Sequence, residues 1–208
     1  MSLLADTRIA VLDTETTGFD PAEGHVLVEV ARVEIAGGVI GETWSSLVRP
    51  GRPIPPDATA VHGITDAMVA SAPTAAELGP ELLAGIADRT LVFHNAAFDL
   101  PFLAVLLRAH GGGPLLNPVV DTLGLARGLF GPGGNSLSAL ARRLDLPAEI
   151  AHRALGDALT TARAFLALAE RWERERGVGT LFELAAASQD VVRRTARRNA
   201  APMLAPRR

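Results

Sequence analysis

Two acids, Asp13 and Glu15, stand one residue apart at the end of an apolar run in "VLDTETTGF". If that run is a β-strand, side chains at i and i+2 share a face, and both carboxylates point the same way. Adjacent carboxylates repel and raise each other's pKa unless a cation lies between them. Such a pair at a strand end, followed by the turn-forming "TTG", is a candidate hard-metal site. Taken alone, it is equally consistent with acids solvated where the strand leaves the core. Further acids fall where an α/β fold would return the chain to this strand. Asp99 stands where a second apolar run, "TLVFHN", meets a helical segment, and Asp157 opens a long helical segment five residues after His152. Functional groups gather at strand ends and helix starts in such sheets. Singly, Asp99 and Asp157 could each merely complement a helix dipole, and His152 could be an ordinary loop residue.

The elements that must position these groups are legible in outline. "RIAVLDTET" has the apolar run of a short buried strand. "HVLVEVARVEIAGGVIGETWSSLVRP" reads as a hairpin turning at Gly37-Gly38. After the Pro-rich "GRPIPPD", the segment "ATAVHGITDAMV" suggests short helical turns capped by Thr65 or Asp66. "TAAELGPELLAGIAD" reads as a helix whose start is blurred by Gly79 and Pro80. "TLVFHN" is a second buried strand, and "FDLPFLAVLLRAHGGG" a helix with Pro101 in its first turn and a glycine stop. "NPVVDT" should be a short strand in which Asp121 caps the helix "LGLARGLF", and Ser136 should cap "SLSALARRL". In the long segment from 155, an apolar stripe of Leu155, Leu159, Ala162, Leu166 and Ala169 marks a helix. Three strands followed by alternating helices and strands imply an α/β sandwich around a mixed sheet.

With the residues in place, the sequence resembles the DEDDh 3′-to-5′ exonucleases, in particular their epsilon-like proofreading branch. "DTETTG" matches the first motif and supplies Asp13 and Glu15; "HNAAFD" matches the second and supplies Asp99; "HRALGDA" matches the third and supplies His152 and Asp157. "VHGIT" at 61–65 is a further segment of the epsilon-like branch, and the likeness runs from about residue 7 to 170. Several short motifs in the right order carry far more weight than any one of them. The resemblance implies a ribonuclease H-like fold, a central mixed five-stranded sheet flanked by helices. It implies hydrolysis of phosphodiester bonds at a DNA 3′ end, single-stranded or frayed, with two divalent ions, Mg²⁺ or Mn²⁺. Asp13 would bridge them, Glu15 and Asp157 would complete one site, and Asp99 would help hold the other, with His152 as general base. It further implies that the backbone around Thr16 and Thr17 grips the terminal nucleotide, while His62 and Phe98 line its pocket. Core packing for Phe98 and a structural role for His62 remain equal alternatives. RNA trimming and a silent polymerase-associated subunit are the rival functions. "DTETTG" with "VHGIT" favours DNA over the first, and all five motif residues argue against the second.

Composition sets the outer limits. The 208 residues suffice for one domain, here 1–187, followed by a basic tail, 188–208, expected to be partly frayed. There is no cysteine, so thiolate chemistry is excluded and any metal must be held by oxygen or histidine. All 20 basic residues are arginine, which excludes a catalytic lysine. Residues 1–189 hold 14 Arg against 22 acids, whereas 190–208 hold 6 Arg against one Asp. An acidic body argues against a broad nucleic-acid-coating surface but not against a site where metals supply the positive charge. Arg193, Arg194, Arg197 and Arg198 would share a face on a helix. A polymerase or sliding clamp is a candidate partner of an epsilon-like protein, although the sole glutamine, Gln189, lacks the apolar and aromatic residues of a clamp-binding peptide. No apolar run approaches the roughly 18 residues of a membrane span, and "MSLLADTR" does not resemble a signal sequence, so a cytoplasmic protein is expected.

Overall fold

The computed structural model describes residues 3–109 and 115–200. Its centre is a five-stranded sheet in the order β3-β2-β1-β4-β5, formed by β1 (Arg8–Thr16), β2 (Leu27–Ala36), β3 (Val39–Leu47), β4 (Thr90–Phe93) and β5 (Val119–Asp121). β1 is antiparallel to β2, and β2 to β3; β1, β4 and β5 run parallel. This is the mixed α/β sheet expected from the order of elements. The β2–β3 hairpin turns at Gly37 and Gly38, whose φ values of 56° and 80° suit the primed turn that matches strand twist.

β1 is central because both its faces are apolar. Ile9 and Val11 enter one core, and Ala10 and Leu12 the other. Burying a large aliphatic side chain contributes ~1.5–3 kcal/mol, so this half of the strand anchors the polar half that follows. The helices on the Ala10 and Leu12 side are α3 (Ala75–Ile86) and α4 (Ala96–Ala109). Before them, α1 (Pro56–His62) and α2 (Asp66–Val69) cover a small third cluster with Val28 and Ile54. Thr65 caps α2, and a Thr74–Glu77 capping box fixes the start of α3 despite Gly79 and Pro80. α4 begins at Ala96, so Pro101 falls in its second turn rather than its first, and Asp99 lies in the opening turn. The glycine stop expected after α4, with His110, lies outside the described residues.

The opposite face carries α5 (Thr122–Phe130), α6 (Leu137–Arg143), α7 (Ala154–Arg176) and α8 (Leu181–Ala200). α7 packs across β1 and β2, but its deepest face is not the expected leucine stripe. Ala154, Ala158, Ala162, Phe165, Leu168 and Ala169 are buried, while Leu155, Leu159 and Leu166 flank them and are only partly covered. Small residues let the helix approach the sheet, and the leucines seal its edges. α8 runs through the 187/188 boundary expected between domain and tail. Ser188 is buried and accepts a hydrogen bond from the Asp121 N–H, so the helix is docked there. Positions 193, 194, 197 and 198 fall in α8, whereas 201–208 lie outside the described residues.

Candidate active site

The odd-numbered residues of β1 face α7, so Asp13 and Glu15 continue the face begun by Ile9 and Val11. Asp157 comes from the first turn of α7 to meet them. Oxygens of these three carboxylates lie within 4.8 Å of one another. Asp99 reaches the same strand end from the other face. Its Oδ1 accepts a 2.7 Å hydrogen bond from the Thr14 hydroxyl, the even-numbered residue between the two acids. A second anchor sets α4 itself. The carboxylate of Asp121 accepts from the N–H groups of Asn95 and Ala96, as well as from Leu123 N–H, and so caps α4 along with the expected α5.

Burial and mutual repulsion make this cluster unfavourable as four bare anions. Burial first, then the charges of Asp99, Asp157, Glu15 and Glu29, hold the Asp13 carboxyl well above the carboxylate range. Burial, Asp157 and Glu29 push Glu15 up to about 8, with Arg153 opposing them. Burial raises Asp99 to about 7 against the Thr14 hydrogen bonds. Burial raises Asp157 too, opposed by His152. An all-oxygen set of four carboxylates relieved by positive charge is the donor chemistry of a hard divalent cation.

His152 sits beside Asp157 in a way its sequence position does not reveal. Its backbone is left-handed, with φ of 57°, and its N–H donates to Asp157 Oδ2 at 3.1 Å, leaving the imidazole exposed. The remaining expected residues converge on one cavity of about 380 Å³ that opens from Glu15 and is lined by Thr16, Thr17, His62 and Phe98, with Phe19 at its edge. His62 Nδ1 accepts from Ile64 N–H at 3.0 Å, which places the proton of the neutral ring on Nε2. Burial lowers the pKa of His62 and keeps that neutral form. Phe98 serves both alternatives: it packs on Phe102, with ring centroids 5.7 Å apart, and also faces the cavity. Thr17 is tied to Val26 through both its backbone and its hydroxyl. Its N–H donates to Val26 carbonyl, and its hydroxyl accepts from Val26 N–H beside His25, so it supplies wall. His94 is bonded to Thr122 Oγ1 at 2.9 Å.

Three neighbours of the site were not singled out by the motifs, although Arg153 lies inside "HRALGDA". Glu29 pairs directly across from Glu15 on β2 and is buried, although it looks like an isolated acid in "VLVEVARV". Its signal was a charge breaking an apolar run. Arg153 holds Glu29 through two hydrogen bonds. Phe19, 87% exposed, meets Phe98 edge-on at 6.4 Å, and a bare aromatic after a glycine turn was its only sign.

Acids gathered at the carboxyl end of a central strand, beside an apolar cavity and flanked by two helix N-termini, define a metal-dependent hydrolase centre of the ribonuclease H-like class. The chain belongs to the exonuclease family RNase_T, whose model matches residues 10–165. It is 47% identical over 180 residues to a DNA polymerase III subunit epsilon-like protein of Rhodobacter capsulatus, covering 80% of this chain and 25% of that one. It is 36% identical over 183 residues to the DNA polymerase III subunit epsilon of Aquifex aeolicus, covering 87% of this chain and 90% of that protein. Among solved structures, exonuclease X in complex with 5′ overhanging duplex DNA superposes with a TM-score of 0.68 at 32% identity, over 86% of this chain and 99% of that one.

Proposed function

We propose that the chain is a 3′-to-5′ exonuclease that releases nucleoside monophosphates from single-stranded or frayed DNA 3′ ends, in proofreading or repair. The observation that carries this reading is the juxtaposition of three carboxylates within 4.8 Å of one another and a cavity of about 380 Å³ opening from Glu15. Asp13, Glu15 and Asp157 fit one divalent ion, and Asp13 with Asp99 a second, Mg²⁺ or Mn²⁺ by donor type. Bound there, such ions supply a hydroxide nucleophile and offset the charge of the phosphate and the leaving oxygen.

The chain's own groups then have distinct tasks. His152 accepts the proton of the attacking water at an imidazole nitrogen, for which its exposed ring beside Asp157 suits it. His62 lines the pocket of the terminal nucleotide as a neutral ring, and Phe98 offers a stacking surface for its base, with Phe19 at the rim. Thr16 and Thr17 wall the sugar side; the Thr16 hydroxyl donates to Gly18 carbonyl and holds the loop in shape. Relatives named as polymerase III subunits support a polymerase as partner, with the sliding clamp as a further candidate. A polymerase of that kind as partner implies action in the cytoplasm. Among the described residues no helix is long and apolar enough to cross a membrane.

Asp13→Ala or Asp157→Ala should abolish Mg²⁺-dependent digestion of a 3′-labelled oligonucleotide, and a variant of undiminished rate would overturn the assignment. Matched DNA and RNA oligonucleotides, and paired against mismatched 3′ ends, separate proofreading from RNA trimming. Faster release from RNA, or equal rates on all DNA ends, would exclude proofreading.

A further inference from the structure

Glu29 has no task in the reaction just described, yet it is 4% exposed, charged and directly opposite Glu15 in the β1–β2 register. Like charges directly opposed across strands are destabilising, so its place needs a reason. Its carboxylate takes Arg153 in a two-pronged grip, Nε to Oε2 at 3.1 Å and Nη2 to Oε1 at 2.7 Å. Oε2 also accepts the Ala154 N–H at 2.9 Å, one of the unpaired donors at the start of α7. Arg153 is the N-cap of that helix and has no side-chain cap of its own, so Glu29 caps the helix from another strand. The connection reaches the acid cluster in one further step: the Arg153 carbonyl accepts the Asp157 N–H at 3.0 Å, and the Asp157 carboxylate accepts the His152 N–H.

We infer that Glu29 and Arg153 are positioning residues, a clamp between β2 and α7 that sets Asp157 and His152 against Asp13 and Glu15. The inference rests on the exonuclease reading for its catalytic consequence, but the clamp itself is a property of the fold. The Arg153 fork engages both carboxylate oxygens of Glu29, which among the described residues stands outside the group of three carboxylates within 4.8 Å of one another. A carboxylate fixed this way differs from a structural ion pair elsewhere on the surface, because the groups it orients are the reacting ones.

Glu29→Gln should lower kcat on a single-stranded oligonucleotide by about 10- to 100-fold and weaken Mn²⁺ binding by about tenfold, the range typical when the groups orienting metal ligands are lost. KM should stay within about twofold, since the nucleotide cavity is untouched. Arg153→Lys keeps the charge but loses the fork, and should retain more activity than Arg153→Met. The double variant Glu29→Gln/Arg153→Met should be no worse than the poorer single one, because both remove the same contact. Calorimetric Mn²⁺ titration and amide hydrogen exchange at residues 153–158 in metal-free protein give readouts independent of turnover; exchange there should speed up in Glu29→Gln and not in β1. If Glu29→Gln does not fold, Arg153→Lys and Arg153→Met carry the same comparison. Wild-type kcat, Mn²⁺ affinity and exchange in these variants, or deficits that multiply in the double variant, would overturn the clamp. A wild type that neither binds Mn²⁺ nor cleaves DNA would instead overturn the exonuclease reading, and the exchange comparison would still decide the clamp.

Discussion

At the scale of single residues, the acids make stability depend on pH in the direction opposite to the usual carboxylate. A carboxyl group in an unfolded chain loses its proton near pH ~4. In the folded protein Glu15 holds its proton to about 8 and Asp99 to about 7, because burial and neighbouring charges disfavour the anion. The folded state therefore binds more protons than the unfolded one between those limits, and stability falls as pH rises through the window. The melting temperature of metal-free protein should drop between pH 5 and pH 8, and saturating Mg²⁺ or Mn²⁺ should restore it most at the upper end. Asp13→Asn should flatten the profile by removing a carboxyl that burial and its acidic neighbours hold protonated in the folded state; a melting temperature that rises over this range would contradict the account. Asp13, Glu15, Asp99, His152 and Asp157 were legible because each sits in a short local pattern. Glu29 was not, since a lone acid in a strand reads as solvent-facing until the register sets it opposite Glu15. The bonding of Thr17 was equally hidden, for its partner Val26 lies across the turn.

At the scale of elements, the critical join is between α7 and the loop that precedes it. Gly156 packs so closely there that a Cβ would lie 2.1 Å from the Ile150 carbonyl oxygen. An alanine normally stabilises a helix interior by ~1 kcal/mol over glycine. Here it must push away the segment that carries His152. Gly156→Ala should therefore cut kcat by about tenfold or more while shifting the melting temperature by only a few degrees; steady-state kinetics beside a thermal scan would show the split. Strand and helix order followed from apolar patterning, and caps such as Thr65, Ser136 and Asp121 stood where their side-chain chemistry placed them. Patterning misjudged which face of α7 lies deepest because a hydrophobic stripe ranks leucine above alanine. Close approach to a sheet rewards the smaller side chain.

Across the whole molecule, α8 is the element that arginine density concealed. Its start carries a readable signal, Thr180 and Glu183, with Glu183 Oε2 accepting from Thr180 N–H and Thr180 Oγ1 accepting from Glu183 N–H. Its burial against α5 could only be seen in three dimensions: Gly124 admits the Ser188 carbonyl so closely that a Cβ would stand 2.2 Å from it. Gly124→Ala should destabilise the protein by ~1–3 kcal/mol in urea unfolding, the cost of overpacking, with Mn²⁺ affinity little changed. A stabilised variant would show α8 to be loosely held. The sheet–helix join at Glu29 and Arg153 spans 124 positions of sequence, and Leu3 N–H reaches across 170 to Glu173. During synthesis, then, the first two acids leave the ribosome long before the helix that brings the last. A nascent chain that stops before Asp157 lacks one of the three carboxylates that lie within 4.8 Å of one another, so the cluster is complete only once α7 has been made and has docked.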